Sequence, residues 1–401
     1  MNRKIKKIQR FTINTSTFLM TEKFSDLLNN HPDIELEDVL KIEMFQHLIE
    51  SVKSGQDAKL MSYFEANAIN LLDTAILSDD NMISDRAYHV IRAHSQKFYC
   101  YFLQNRNLTK ILNKLVINSE QRSDIQIGRY LEILRTCAIF YPEETIGNLW
   151  CLNNLLKFID RDVTYLFFSM IFKLGPAYQK WMVANDFYIA LLNSLKEYQE
   201  DEKKLSNIYL LISEFLSLNS FRDKCTSPFR ISKLIKIPKA VNESFLNYSK
   251  MINHLYCGKT KKEFEDNLYE YVKFTKTVEN PQIKVNFMNL ISTIIEQMKD
   301  IDKEKEDLYD LAKSALLTPK NEFEIQKGLE IYLTLIRNNI NSEKAKEIFI
   351  EFAGNLKKEN KPIHRIACFR ICSLHESFKE YCGDTIMKMR SVIESDFGEI
   401  K

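Results

Sequence analysis

Glycine and proline are scarce in this chain, with nine and eight copies among 401 residues. Average usage is about 7% glycine and about 5% proline. Strand-rich folds need frequent tight turns, and glycine, proline, asparagine and aspartate make those turns most easily. The composition therefore argues against a sheet-based fold and predicts long helices joined by short connections.

The chain also lacks a long apolar run and an excess of charge of either sign. No stretch approaches the run of about 18 apolar residues that a membrane-spanning helix needs. The 56 basic residues are nearly balanced by 54 acidic residues. No net field therefore draws the protein to nucleic acid or to an anionic membrane, and we expect neither partner.

The cysteines follow no disulfide pattern. Disulfide frameworks are typical of small secreted chains, whereas this chain is long and shows no secretion signal. Its eight cysteines lie mostly inside apolar runs, at positions 100, 137, 151, 225, 257, 368, 372 and 382. We expect reduced core thiols and a protein of the cytoplasm or the nucleus. The basic, acid-free first twenty residues leave one alternative, a mitochondrial presequence, beside a solvated start to the fold.

Apolar residues recur at helical spacing along almost the whole chain. The clearest stripes are Ile127, Tyr130, Leu131, Leu134, Cys137 and Ala138; Phe287, Leu290, Ile291, Ile294, Ile295 and Met298; and Phe323, Ile325, Leu329, Tyr332, Leu333 and Ile336. Short breaks separate such stretches, at Tyr141-Pro142, Gly175-Pro176, Asn280-Pro281, Thr318-Pro319 and Lys361-Pro362. Proline is well tolerated at the start of a helix, where its missing N–H loses no hydrogen bond.

Several of these prolines are about 40 residues apart, the span of a two- or three-helix repeat. A helix of about 16 residues buries side chains worth roughly 6–15 kcal/mol, while ordering its backbone costs roughly 16–32 kcal/mol. Because internal hydrogen bonds close only part of this gap, each helix needs neighbours on more than one side. We predict an all-α fold in which armadillo/HEAT-like helical repeats stack as an α-solenoid.

A basic interruption divides the chain. Residues 221–240 read FRDKCTSPFRISKLIKIPKA, with two prolines and six basic residues against one acid. We expect helical repeats in residues 1–220 and 241–401, joined by this connector. The simplest interpretation is a solvated linker. The alternative is a loop that binds an acidic partner, with Ser227 before Pro228 as a phosphorylation site.

No catalytic or metal-binding constellation stands out. Residues 257–260 (CGKT) resemble the end of a phosphate-binding loop, but Asn253 stands where that loop needs its first glycine. One row of metal-ligand types occurs on a predicted helix, at His364, Cys368, Cys372 and His375. A straight helix spreads that row over more than about 15 Å, too far for one tetrahedral site. We expect a protein without enzymatic activity, metal or cofactor.

Three places in the first 220 residues carry a family resemblance. Residues 11–16 (FTINTS) are followed by the acidic segment 34–40 (IELEDVL). Trp181-Met182 precedes the apolar run 187–195. Residues 201–207 (DEKKLSN) lead into another apolar helix and give the most specific match. These segments resemble the SAPS family, the regulatory subunits of type 2A-like serine/threonine phosphatases such as protein phosphatase 6.

The resemblance implies a regulatory scaffold that grips a phosphatase catalytic subunit on one face and recruits substrates or adaptors with others. The partner-binding candidates that it implies are Trp181, Asp201, Glu202, Ser206 and Asn207. From the residues alone, the two acids also suit a helix start, and the Ser-Asn pair suits hydrogen bonds to nearby backbone or to a packed loop. A buried Trp181 would make Trp181→Ala destabilising by about 3–5 kcal/mol.

Two other classes of function remain open. An armadillo- or HEAT-type transport or assembly adaptor needs no phosphatase partner. Such proteins usually show a regular asparagine or tryptophan ladder or an acidic concave face, and no regular ladder is visible in this sequence. An enzyme with an unrecognised site would need a deep pocket in which titratable groups converge.

Overall fold

The computed structural model describes most of the chain. It covers residues 24–117, 122–218, 234–238, 244–298, 301, 305–338, 343–359 and 362–374. Within these ranges the regular structure consists of 22 α-helices and three 3-10 helices, with no β-strand. The all-α prediction is confirmed for this part of the chain.

The chain divides into two compact units, Met1–Ala190 and Leu191–Lys401. The predicted connector 221–240 falls within the second unit, and the structure describes only residues 234–238 of it. The predicted phosphorylation site at Ser227 lies outside the described residues. The division into helical repeats 1–220 and 241–401 stays a prediction.

The first unit consists largely of short helices. They are α1 (Phe24–Asn30), α2 (Leu36–Leu40), α3 (Phe45–Ser54), α4 (Ala58–Ala66), α5 (Ala68–Leu77), α6 (Asn81–Ala93), α7 (Cys100–Leu103), α8 (Asn107–Ile117), α9 (Asp124–Phe140), α10 (Pro142–Asn148), α11 (Asp162–Lys173) and α12 (Pro176–Ala184). The 3-10 helices are Gln96–Tyr99, Gln104–Arg106 and Leu149–Phe158. Helix α5 packs on α6 and α9, α9 packs on α11, and α11 packs on α12. Helix α13 (Phe187–Glu197) continues from this unit into the second.

The second unit arranges its helices in two layers. They are α14 (Glu202–Ser217), α15 (Ser244–Leu255), α16 (Lys261–Asp266), α17 (Leu268–Thr277), α18 (Pro281–Gln297), α19 (Lys305–Leu317), α20 (Glu322–Asn338), α21 (Glu343–Glu359) and α22 (Pro362–Leu374). In one layer α14, α15, α18, α20 and α22 each contact the next; in the other, α17, α19 and α21 do so. The layers join where α17 packs on α18, α19 on α20, and α21 on α22. Most helices thus have neighbours on two or three sides.

Prolines and capping side chains explain where many helices begin. Helices α10, α12, α18 and α22 start at the prolines of four predicted breaks, and Thr318-Pro319 lies in the connection between α19 and α20. Side-chain caps act at other starts. The carboxylate of Asp80 accepts the N–H groups of Met82 and Ile83 at 3.0 and 3.1 Å, and Ser123 forms a reciprocal capping box with Gln126. The predicted breaks are confirmed.

The predicted stripes form most of the core of their helices. All six members of the α9 stripe are buried, as are five of six on α18 and five of six on α20. The exceptions are Met298, which lies one residue beyond α18, and Phe323, which is 68% exposed. Phe323 is the second residue of α20 and precedes Ile325 by two positions. Two positions correspond to about 200° around a helix, so Phe323 points away from the core. Its assignment to the stripe was wrong.

Candidate functional site

The five predicted partner-binding residues fall in two places. Trp181 lies on α12 of the first unit, whereas Asp201, Glu202, Ser206 and Asn207 lie at or just after the start of α14 in the second. Each place has its own local chemistry.

Trp181 is partly exposed rather than buried. Its helix begins at Gly175-Pro176 and contacts α10 and α11. The same helix buries Tyr178 and Met182, at 2% and 0% exposure, and the hydroxyl of Tyr178 donates to the carbonyl of Ala138 at 2.6 Å. Tyr178 and Met182, rather than the indole, therefore anchor α12. The loss of about 3–5 kcal/mol of stability expected from Trp181→Ala required a buried indole, and the indole is partly exposed.

The acidic pair begins a helix. Asp201 is the N-cap of α14, and its carboxylate accepts the N–H of Lys204 at 3.0 Å. The Lys204 ammonium also lies 3.8 Å from the Asp201 carboxylate and 4.5 Å from the ring centroid of Tyr198. Glu202 is the exposed first residue of the helix, where its charge meets the positive end of the helix dipole. Asp201 thus has a structural task, and Glu202 is the more accessible acid.

Ser206 connects two helices. Its hydroxyl oxygen accepts a hydrogen bond from the side-chain amide of Asn247 on α15, at 2.6 Å. A ring contact also joins these two helices: Tyr209 of α14 packs edge-on against the buried Tyr248 of α15, with 5.5 Å between the ring centroids. Asn207 is half-buried beside them. Of the Ser-Asn pair, Ser206 is therefore part of the contact between α14 and α15.

That bond is the first of a series that the sequence did not reveal. Asn286 of α18 donates to the hydroxyl of Ser249 on α15 at 2.8 Å. One turn further along both helices, Asn289 donates to the side-chain oxygen of Asn253 at 2.9 Å. Asn253 in turn donates to the backbone carbonyl of Asn286 at 3.0 Å. We call the six polar residues of this series the amide row: Ser206, Asn247, Ser249, Asn253, Asn286 and Asn289.

The second unit therefore contains a short series of asparagine and serine side-chain bonds between successive helices, although the sequence shows no regular ladder. The bonds between side chains of the amide row join residues 41, 37 and 36 positions apart. Because these separations differ and serine alternates with asparagine, the sequence shows no fixed period. Asparagine recurring on the polar side of successive amphipathic helices was the available signal.

The amide row has unused hydrogen-bonding capacity. A side-chain amide offers two N–H donors and one carbonyl acceptor. Among the described residues, Asn247, Asn286 and Asn289 each use one donor, and their carbonyl oxygens accept no hydrogen bond. All three side chains are partly exposed. This surface offers donors and acceptors without charge, which is also what an extended peptide backbone presents.

The other layer of the second unit has a contrasting, charged surface. The Lys276 ammonium of α17 lies 2.8 Å from the carboxylate of Asp307 on α19, and that of Lys344 on α21 lies 2.8 Å from Asp310. The hydrogen bond from Lys344 lowers the pKa of Asp310, and the one to Asp307 raises the pKa of Lys276. These charges pair with one another across successive helices.

The motifs weighed for chemistry have structural roles where they can be seen. Thr260 of the CGKT turn is buried, accepts the N–H of Cys257 at 2.9 Å and donates to the carbonyl of Leu255 at 2.8 Å. His364, Cys368 and Cys372 lie on the buried side of α22, and His375 lies outside the described residues. In the part of the chain that the structure describes, no three metal-ligand side chains converge.

Comparison with protein-family models and with curated proteins finds no match. The resemblance to the SAPS family therefore rests on the sequence segments alone. None of the helices in the described ranges has the length and apolarity to cross a bilayer.

Proposed function

We propose that this protein is a scaffold without catalytic activity, built from armadillo/HEAT-like repeats that stack as an α-solenoid. The observation that supports it best is the packing of the second unit, in which the helices of each layer contact one another in succession. Repeat stacks of this kind characteristically serve as binding surfaces. The amide row gives one such surface a chemistry suited to polypeptide.

The partner that we propose is the catalytic subunit of a type 2A-like serine/threonine phosphatase, in the cytoplasm or nucleus. The resemblance of residues 11–16, 34–40, 181–182 and 201–207 to the SAPS family supports this assignment. The mechanism is positional, since a scaffold that holds enzyme and substrate together raises the local concentration of substrate. The metal centre and the chemistry belong to the catalytic subunit.

Capture from native extract tests the partner. We expect the tagged full-length chain to retain a phosphatase catalytic subunit at about physiological salt. Glu202→Lys should weaken this capture, because Glu202 is the accessible acid of the most specific family segment. Glu322→Lys is a matched control, since Glu322 is likewise the exposed first residue of its helix. If both variants capture the same amount of phosphatase, Glu202 does not belong to the interface. If the wild-type chain captures no phosphatase, the proposed partner is wrong.

A second candidate function is that of a transport or assembly adaptor with no phosphatase partner. The amide row favours it, because such adaptors commonly carry an asparagine ladder. In this case an extended segment of a client protein would pair its backbone with Asn247, Asn286 and Asn289. The Asn286→Ala/Asn289→Ala variant should then lose clients that Asn267→Ala keeps, because the Asn267 amide bonds a carbonyl of its own helix. If the Asn286→Ala/Asn289→Ala variant loses the phosphatase catalytic subunit and no other bound protein, the result would favour the first candidate function.

A further inference from the structure

The first unit places the starts of three helices side by side. Arg129 of α9 lies 2.8 Å from Asp85 of α6, and Arg92 of α6 lies 3.6 Å from Glu132 of α9. The second pair lies further towards the C-terminal end of both helices than the first pair does, so α6 and α9 run parallel. Asp124, the first residue of α9, pairs with Arg161, directly before α11. The first turns of α6, α9 and α11 therefore share one edge of this unit.

Large apolar side chains are exposed along that edge. Their exposed fractions are 48% for Met82, 62% for Ile125, 39% for Val163 and 60% for Leu166. The ion pairs place Met82, Ile125 and Val163 in the first turns of three neighbouring helices, at the same edge of this unit. Single exposed apolar residues are ordinary, but a contiguous group usually marks an interaction site. We call these four residues the apolar edge.

Acidic groups surround the apolar edge. Asp79, Asp80, Asp124 and Asp162 are all exposed at the starts of these helices. Arg161 pairs with Asp124, and Arg129 pairs with Asp85 further along α6. The carboxylate of Asp80 caps its own helix, so Asp79 is the aspartate most available to a partner. Acids in a first turn also stabilise their own helix. That local role explains the aspartates and leaves the exposed apolar residues unexplained.

We propose that the apolar edge binds a basic amphipathic helix of a partner protein. Leucine-like side chains of the partner would cover Met82, Ile125, Val163 and Leu166, while its lysines or arginines would face the surrounding aspartates. Neighbouring helices pack about 8–10 Å apart, so three of them span about 20 Å. A helix of about 14 residues has a matching length of about 21 Å. This surface belongs to the first unit and adds a second binding site to the proposed scaffold.

A model peptide tests the chemistry directly. The probe is a fluorescent, amidated 14-residue peptide of leucine and lysine at helical spacing, titrated with the full-length protein and followed by anisotropy. We expect saturable binding that weakens as salt is raised, because exposed charges are screened. The same peptide with glutamate in place of lysine should not bind. Failure of the lysine peptide to bind, or equal binding of the glutamate peptide, would overturn the proposal.

Matched substitutions locate the site. Ile125→Ser/Leu166→Ser should weaken peptide binding at least tenfold, whereas Phe323→Ser/Ile350→Ser, which removes comparably exposed residues of the second unit, should leave it unchanged. Unchanged thermal melts would establish that both variants fold. Equal weakening by both pairs would mean that the probe follows overall hydrophobicity, and would contradict the proposal.

Two further measurements separate other occupants. Asp79→Lys should weaken peptide binding, while Asp266→Lys, at an exposed acid of the second unit, should not. Sedimentation equilibrium should give the same mass for the wild-type chain and for Ile125→Ser/Leu166→Ser. A wild-type dimer that this variant abolishes would show that a second copy covers the apolar edge, which would overturn the assignment to a different partner.

Discussion

The buried ion pair between α18 and α20 allows a quantitative test of the packing in the second unit. The Lys284 ammonium lies 3.1 Å from the Glu324 carboxylate, and the two side chains are 10% and 0% exposed. The same carboxylate oxygen lies 3.4 Å from the N–H of Lys320, and the other oxygen has no hydrogen-bond partner among the described residues. Lys284 is therefore the main group that compensates this buried charge.

Removing either partner alone should be strongly destabilising. At 3.1 Å the attraction between unit charges is about 5 kcal/mol for an effective dielectric constant of about 20. Lys284→Met leaves Glu324 buried without its cation, and such changes destabilise by about 3–5 kcal/mol. Lys284→Met/Glu324→Leu removes both charges and should stay within about 1 kcal/mol of the wild type, because the desolvation penalty disappears together with the attraction.

Urea unfolding of the wild type, both single variants and the double variant gives the coupling energy directly. Hydrogen exchange on α18 and α20 would show that the loss is local to this contact. Lys276→Met is the control, since its partly exposed pair with Asp307 should contribute no more than about 1 kcal/mol. A Lys284→Met variant as stable as this control would refute the packing of α18 against α20.

Three further predictions concern other contacts. A Cβ at Gly328 would lie 2.6 Å from the Cβ of Ala315, so Gly328→Ala should destabilise the protein by about 1–3 kcal/mol. Gly354 has open space around it, so Gly354→Ala should instead stabilise its helix by up to about 1 kcal/mol. Thermal melts of the two variants measure both effects. Burial lowers the pKa of His94, so the folded state binds fewer protons than the unfolded chain and stability should fall as pH drops below about 6.5. Urea unfolding at several pH values should show a smaller loss for His94→Gln. Trp181→Ala should destabilise by less than the roughly 3 kcal/mol lower bound for a buried tryptophan, because its side chain is partly exposed.

Local features of the sequence predicted the helices well. Prolines at the five breaks marked helix starts or a connection, because proline restricts the backbone whatever its neighbours are. Stripes at helical spacing identified most of the buried residues of α9, α18 and α20. Phe323 was misplaced because residue type, rather than angular position, assigned it to the stripe. Helical register depends on local geometry and is therefore largely readable from one sequence.

Contacts between helices were not predictable in the same way. Asn286 and Ser249 are 37 positions apart, and nothing local to either residue specifies the other. The buried pair of Lys284 and Glu324 spans 40 positions and uses residue types that are usually exposed. Such pairings depend on how far each helix slides along its neighbour, which the packing of the whole unit determines. The amide row and the apolar edge both required this three-dimensional register.

The candidate site illustrates how one motif can have two interpretations. Residues 201–207 carry a family resemblance and also begin a helix, and the structure gives Asp201 a capping role and Ser206 a role between helices. A helix start needs acids and short polar residues for its own stability. The same residue types at this position therefore suit both a partner contact and a helix start. Partner binding by all five candidates stays a prediction: Trp181, Asp201, Glu202, Ser206 and Asn207.

Direct complex formation tests the central claim most simply. The purified full-length chain is mixed with a purified type 2A-like phosphatase catalytic subunit and analysed by size-exclusion chromatography with light scattering. We predict one new peak whose mass equals the sum of one copy of each protein. Two peaks at the masses of the separate proteins, at micromolar concentration and low salt, would contradict the account.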